Sequence, residues 1–423
     1  MLPEITYFII MLVVFILAAM WWKLPIGISL ILASIAGALA SGDGIPIRHL
    51  VEGTFAYLDP ILIIATAMIF MGALRRSGAL GSISRLIIIK LHKQPFWLVI
   101  FITLFIMFPG MITGLSTATV LTTGALVAPA LMMLGIPRVT VAAIIAMSAI
   151  YGMIAPPINI PAMIIGGGVD MPYIGFELPL LFATLPLAIG VNLSLGYKYL
   201  RKIDIENIQT KLGEDYVAKY GIRLFLPLII VVVLMLGIRI LPQYFPNLGV
   251  PLIFMIGSLV ALICGEKFNF FKISHKAIQE ALPVIGILVG IGMFIQIMTL
   301  NGVRGMLVIS SLSTPSVWRY VSMGVMIPLF GAVSAYGSAS VLGVPFLLAF
   351  LGQNEIIVGS ALSLLTGLGD LMPPTALAGI FAAQVVGEEN YFKVLRVTLI
   401  PAIATALWAL AMIFFANQLG AFL

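Results

Sequence analysis

Apolar residues run almost without interruption along this chain, broken at intervals by short clusters of charge, glycine or proline. A helix crossing ~30 Å of hydrocarbon needs about 20 mostly apolar residues. Stretches of this kind cover 5–22, 25–41, 57–74, 138–165, 178–200, 224–241, 251–265, 281–300, 355–386 and 394–417. Two further stretches have no real loop inside them. Residues 95–134 are interrupted only by Thr113-Gly114-Leu115-Ser116-Thr117, and 316–352 only by Ser334-Ala335-Tyr336-Gly337-Ser338. Such breaks between half-length apolar arms predict re-entrant hairpins, which enter and leave the membrane on one side. The stretches over 138–166 and 355–386 carry Pro156-Pro157 and Pro373-Pro374. Proline has no N–H and disfavours helix in the residue before it, so both read as broken helices.

The pattern occurs twice. Gly72–Gly81 aligns with Gln296–Gly305, setting Gly78 over Gly302 and Gly81 over Gly305. Ala118–Leu121 aligns with Ala339–Leu342, and Gly152–Pro157 with Gly369–Pro374. An internal repeat of this length places each half in one structural unit. The expected fold is an all-α polytopic membrane protein made of two inverted repeats, with about ten transmembrane helices, two re-entrant hairpins and two broken helices. Residues 1–200 form the first repeat, 201–222 a cytoplasmic linker and 223–423 the second.

Composition agrees with immersion in lipid. Of 423 residues, 61% are hydrophobic and 9% charged, against about 25% charged in an ordinary soluble domain. The mean hydropathy is +1.18. A net charge of +6 does not imply nucleic acid, because the basic residues lie between spans and act as topology signals. With the N-terminus outside, all of the 22 Lys and Arg except Arg48, Arg239, Arg304 and Arg319 fall on the cytoplasmic side. The C-terminus is then also outside. The apolar segment from Ile5 to Trp22 lacks a basic leader and a small-residue cleavage site, and reads as a first span.

The chemistry suits transport better than catalysis. Cys264 is the single cysteine, so neither an intramolecular disulfide nor a thiolate metal site is expected, and His49, His92 and His275 are expected in loops. No nucleotide-binding loop, metalloprotease helix or catalytic pair falls at membrane depth, so no enzyme and no cofactor are expected. Irregular backbone survives in a membrane only where protein or a watery cavity surrounds it. Carbonyls freed near Gly152, Pro156, Gly369 and Pro373 are candidate cation ligands, and hairpin helix N-termini offer N–H groups to an anion. Hydroxyl and amide residues collect at the same places: Thr113, Ser116, Thr117 and Thr119 at the first tip, Ser334, Ser338 and Ser340 at the second, and Asn159, Thr366 and Thr375 beside the breaks. Thr113, Gly114, Ser116, Thr117, Asn159, Tyr336, Ser338 and Thr375 are the candidate substrate contacts, and Ser116, Ser340, Thr366 and Asp370 candidate cation ligands. Oxygen ligands suit a hard cation such as sodium, although small residues also let membrane helices pack closely. Tyr336 at the second tip either touches substrate or fills space. Asp370 is a lone carboxylate inside Gly367-Leu-Gly-Asp-Leu-Met-Pro-Pro. An ionisable group at membrane depth points to function, with helix capping as the alternative. The spacing predicts that Ser338 and Ser340 approach it from the second hairpin.

Gly114-Leu-Ser-Thr-Ala-Thr-Val, Gly135-Ile-Pro and Ser148-Ala-Ile-Tyr-Gly-Met-Ile-Ala-Pro-Pro resemble the large membrane subunit of tripartite ATP-independent periplasmic (TRAP) transporters, within the ion transporter superfamily. The resemblance covers essentially the whole chain. It implies a scaffold with a moving transport domain, an elevator-type cycle, sodium coupling and import of a small carboxylate or dicarboxylate across a bacterial or archaeal inner membrane. It also implies a periplasmic substrate-binding protein and a small four-helix membrane subunit as partners. Its cation sites map onto Ser116 and Gly152, and onto Gly337, Gly369 and Pro373. Asp370 is not part of the resemblance, and a proton remains the other coupling ion. A stand-alone citrate-type or gluconate-type symporter is the alternative within the superfamily.

Overall fold

The computed structural model describes residues 3–199, 216–241, 243–246, 248–313 and 315–422. Most of the linker expected over 201–222 lies outside the described residues. Among those described, the secondary structure is helical apart from one isolated bridge between Leu351 and Gln353. Among the described residues, eight helices are long and apolar enough to cross a membrane, and the chain is a polytopic all-α membrane protein.

The same series of elements appears twice. In the first half, Pro3–Ile16 continues into a π turn over Leu17–Trp21, followed by Ile26–Ser41, Ile47–Phe55, Leu58–Arg76 and an arm helix, Ala79–Leu91. A hairpin follows, from Pro95–Thr113 into Ser116–Thr119, a π turn Val120–Gly124 and Ala125–Met133. The broken helix Arg138–Ile154 and Ile160–Gly167 and the span Glu177–Gly196 complete the half. The second half runs Leu226–Ile240, Val250–Cys264, Phe270–Leu300 and the arm Val303–Ser313. Its hairpin is Ser316–Gly331 into Ala335–Ser338, a π turn Ala339–Gly343 and Val344–Leu348. Its broken helix is Glu355–Gly367 with a 3₁₀ turn Leu368–Leu371, then Leu377–Val386, and Tyr391–Phe414 closes the series.

Both apolar interruptions are true hairpins. The Thr123 hydroxyl donates back across the first to Ile106 O at 2.9 Å, and Ser338 donates across the second to Ile327 O at 2.6 Å. Each arm helix starts after a glycine that repeats in register and needs a left-handed backbone, Gly78 at φ +88° and Gly302 at +76°. The helix starts at the tips pair Ser116 with Ala335, whereas the sequence alignment sets Ala118 on Ala339. The second tip is therefore in a different register from the one the sequence suggests. The histidines also differ from expectation. His49 lies on Ile47–Phe55 and His275 on Phe270–Leu300, while only His92 sits at a helix end.

Packing divides the helices into two groups. Phe270–Leu300 crosses Ile26–Ser41, Ile47–Phe55 and Leu58–Arg76, and Val250–Cys264 packs on Leu58–Arg76. Glycines set these crossings, since a Cβ on Gly290 would lie 2.5 Å from Gly27 O and one on Gly53 would lie 2.6 Å from Gly292 O. The other group is centred on the two broken helices. Every residue from Thr140 to Ile154 and from Ile357 to Gly367 is buried. A helix apolar on all sides belongs inside protein, and these two form the middle of the molecule. Each short second segment packs against the hairpin of the other half: Ile160–Gly167 on the hairpin containing Ala335–Leu348, and Leu377–Val386 on the hairpin containing Ser116–Met133. The halves are interlocked, which brings both breaks and both tips to one place.

Candidate functional site

The site is assembled from four irregular segments, and the sequence explains why each is irregular. In an α-helix each carbonyl accepts from the N–H four residues on. Pro156 and Pro157 remove the donors due to Gly152 and Met153, and Pro373 and Pro374 those due to Gly369 and Asp370. Both diproline bonds are cis. The next N–H in each break turns to a hairpin instead: Ile158 donates to Met111 O at 3.2 Å, and Thr375 to Ala332 O at 3.2 Å. Glycines let these pieces meet backbone to backbone. A Cβ on Gly152 would lie 2.5 Å from Met107 O, and one on Gly369 would lie 2.3 Å from the Gly331 carbonyl carbon.

The tips cross between halves. Ser116, at the start of the first hairpin's second arm, donates its hydroxyl to Asp370 Oδ2 at the second break. Tyr336, at the second tip, donates to Gly114 O of the first tip at 3.0 Å and lies 3.7 Å from Met153 Sδ at the first break. Asp370 is 5% exposed. The described ion pairs, Arg48–Glu52, Lys219–Glu266, Lys276–Glu280 and Lys393–Glu388, are on the surface and do not include it. A buried carboxylate without a cationic side chain is tolerable only with a bound cation or a proton. The structure thus gives Asp370 a partner from the first hairpin rather than from Ser338 and Ser340. Ser338 is committed to Ile327 O, and the buried Ser340 Oγ has no hydrogen-bond partner among the described residues.

The other expected residues have identifiable places. Thr113 closes the first arm, donating to Pro109 O at 2.7 Å and accepting from Leu115 N at 3.2 Å. Gly114 takes φ +67°, and Thr117 lies partly exposed beside Ser116. Gly337 N donates to the Ser334 side chain at 3.1 Å, an N-cap for the short helix there. Thr375 Oγ1 adds a second bond to Ala332 O, at 2.8 Å. Thr366 returns its hydroxyl to Ser363 O at 2.7 Å, within its own helix. Asn159 is fully buried and fully used: it caps Ala162 N at 2.9 Å and donates to Ile154 O at 2.9 Å and to Ser363 Oγ at 2.8 Å. Three residues not singled out from sequence also build the site. Gly110 and Gly331 occupy matching places in the first arms, and a Pro-Gly or Phe-Gly step before each tip was the available signal. Tyr391, whose hydroxyl bonds to Leu371 O beside Asp370, had no signal in the sequence.

The arrangement can hold a dehydrated cation among carbonyl, hydroxyl and carboxylate oxygens. It can also present helix N-termini at Ser116, Ala335, Ile160 and Leu377 to a nearby anion.

Residues 9–419 match the family model described as tripartite ATP-independent periplasmic transporter, DctM component. The chain is 25% identical over 409 residues to the isethionate TRAP transporter permease protein DctMQ of Oleidesulfovibrio alaskensis, covering 90% of this chain and 61% of that protein. It therefore spans less than two thirds of that relative's length. In fold it is similar to the Alcanivorax borkumensis YdaH transporter, with a TM-score of 0.62 at 16% identity over 87% of this chain and 88% of that one. It is also similar to Neisseria gonorrhoeae MtrF, with a TM-score of 0.58 at 13% identity over 98% and 95%.

Proposed function

We propose that this chain, which belongs to the DctM-component family of tripartite ATP-independent periplasmic transporters, is a secondary transporter that imports a small organic anion by cation symport. The observation that carries the reading is Asp370: a buried carboxylate with no side-chain cation paired to it among the described residues, bonded across the halves to Ser116 where both tips and both breaks meet. Sodium is the favoured coupling ion, since oxygen donors of this kind suit a hard cation. The substrate belongs to the carboxylate class, with dicarboxylates first to be tried. The relative named for isethionate adds sulfonates to the panel.

The two packing groups support an elevator cycle. Helices such as Phe270–Leu300 and Ile26–Ser41 form the stationary scaffold, and the hairpins with the broken helices form the moving body. The halves are inverted in a bacterial or archaeal cytoplasmic membrane, with both termini outside. After replacement of Cys264, Lys90→Cys on the first arm should react only with reagent on the cytoplasmic side, and Ser313→Cys on the second only from outside. Both positions are exposed. Reaction of both from one face removes the inversion.

A small membrane subunit and a periplasmic binding protein complete the transporter in this reading. The reconstituted chain alone should take up little of any carboxylate or sulfonate in the panel, and uptake should rise at least about tenfold when both partners are added, an effect of ~1.4 kcal/mol or more. Efficient uptake of free substrate by the chain alone would assign it instead to the stand-alone symporters.

A further inference from the structure

The two breaks solve the same backbone problem in different ways. When Ile158 N–H turns away to Met111 O, it leaves Ile154 O without its helical donor, and the Asn159 amide replaces it at 2.9 Å. When Thr375 N–H turns away to Ala332 O, it leaves Leu371 O in the same position. The residue matching Asn159 is Ala376, which has no side-chain donor and takes a left-handed φ of +37°. Here the replacement donor is the hydroxyl of Tyr391, the first residue of the last span. The ring has a built place, because a Cβ on Gly379 would lie 2.3 Å from it. Tyr391 also lines a cavity of about 450 Å³ with Pro373, Pro374, Ile380 and Asn390.

We infer that Tyr391 is a positioning residue for the turn that carries Asp370, standing in for the amide that the second break lacks. Resting on the reading of Asp370 as the coupling group, the inference adds an asymmetry between the halves. Asn159 belongs to its own break and moves with it, so the first break is a fixed unit. Tyr391 reaches Leu371 from a separate helix. Its bond can open when that helix shifts, which frees the carbonyl next to Asp370 and loosens the ion site. The second break is the one that changes shape.

The test uses the purified full chain and follows ion binding by thermal shift, titrating sodium at fixed pH and then protons without sodium. Tyr391→Phe should keep the fold and raise the half-saturating ion concentration roughly fivefold, the effect of one lost hydrogen bond. Gly379→Ala, whose added Cβ would lie 2.3 Å from the Tyr391 ring, displaces the same hydroxyl without deleting it and should raise the half-saturating concentration by a similar factor. Unchanged half-saturation in Tyr391→Phe overturns the inference. So does loss of folded protein in that variant, which deletes only a hydroxyl, or a folded Gly379→Ala variant that binds ions like the parent. Asp370→Asn in the same assay separates the two levels. If it binds ions like the parent, the coupling reading fails; if it does not, only the role of Tyr391 is in question.

Discussion

Asp370→Asn is expected to abolish gradient-driven accumulation while leaving membrane insertion and folded yield unchanged. The substitution keeps the side chain's size and an oxygen able to accept from Ser116, but removes the charge and the titratable proton. Truncating one member of a buried charged hydrogen-bonded pair costs on the order of 3 kcal/mol, which is about a hundredfold in ion affinity. The Ser116→Ala variant should lie between this variant and the parent. It keeps the charge and loses one hydrogen bond to it, worth about 1.5–3 kcal/mol. Ion-dependent initial rates, measured against imposed sodium and proton gradients, separate the two variants from each other and from the parent. Accumulation by Asp370→Asn at the parent level, under either gradient, would make Asp370 a structural residue.

Gly369→Ala gives the second large effect, this time through packing. The added Cβ would lie 2.3 Å from the Gly331 carbonyl carbon and 2.5 Å from its oxygen, both backbone atoms that cannot rotate away. Overpacking of a well-filled interior costs about 1–3 kcal/mol where side chains can yield, and here the hairpin itself must move. The expected result is loss of transport by more than about tenfold, with reduced folded yield. Gly152→Ala should behave alike, because its Cβ would meet Met107 O at 2.5 Å. The control is Gly81→Ala on the first arm, where a Cβ meets nothing within 4 Å among the described residues. Helix propensity favours that change by about 1 kcal/mol, so thermal stability and uptake should be kept or improved. Equal loss in all three variants would show that the close approach at the breaks is not what makes them sensitive.

Much of the fold was legible because its signals are covalent or compositional. Apolar length marks spans, and a diproline removes N–H groups wherever it occurs, so the breaks at Pro156 and Pro373 follow from the sequence. Gly78 and Gly302 repeat because both arms start from a left-handed residue. The register of the second tip was not legible. The matching Ala118 and Ala339 each lie between hydroxyl residues, Thr117 and Thr119 or Ser338 and Ser340, a small-polar pattern that does not mark where the helix starts. Partners across the halves were hidden for a related reason. Nothing local in the sequence states that Ser116 reaches Asp370 or that Tyr336 reaches Gly114, because these contacts arise from the interlocking of the hairpins with the opposite broken helices. Gly81 shows the converse: it repeats in register with Gly305, yet neither position is closed by packing.

The central claim is that this chain converts an ion gradient into substrate accumulation through the site at Asp370. Its most direct test is uptake into vesicles containing the chain with its small subunit and binding protein, using labelled carboxylates and sulfonates. Vesicles are compared with an inward sodium gradient, with an inward proton gradient, and with neither. Transient accumulation above the external concentration should occur under the sodium gradient and vanish when sodium is equal on both sides. Substrate that only equilibrates across the membrane, at the same rate whatever gradient is imposed, would contradict the account.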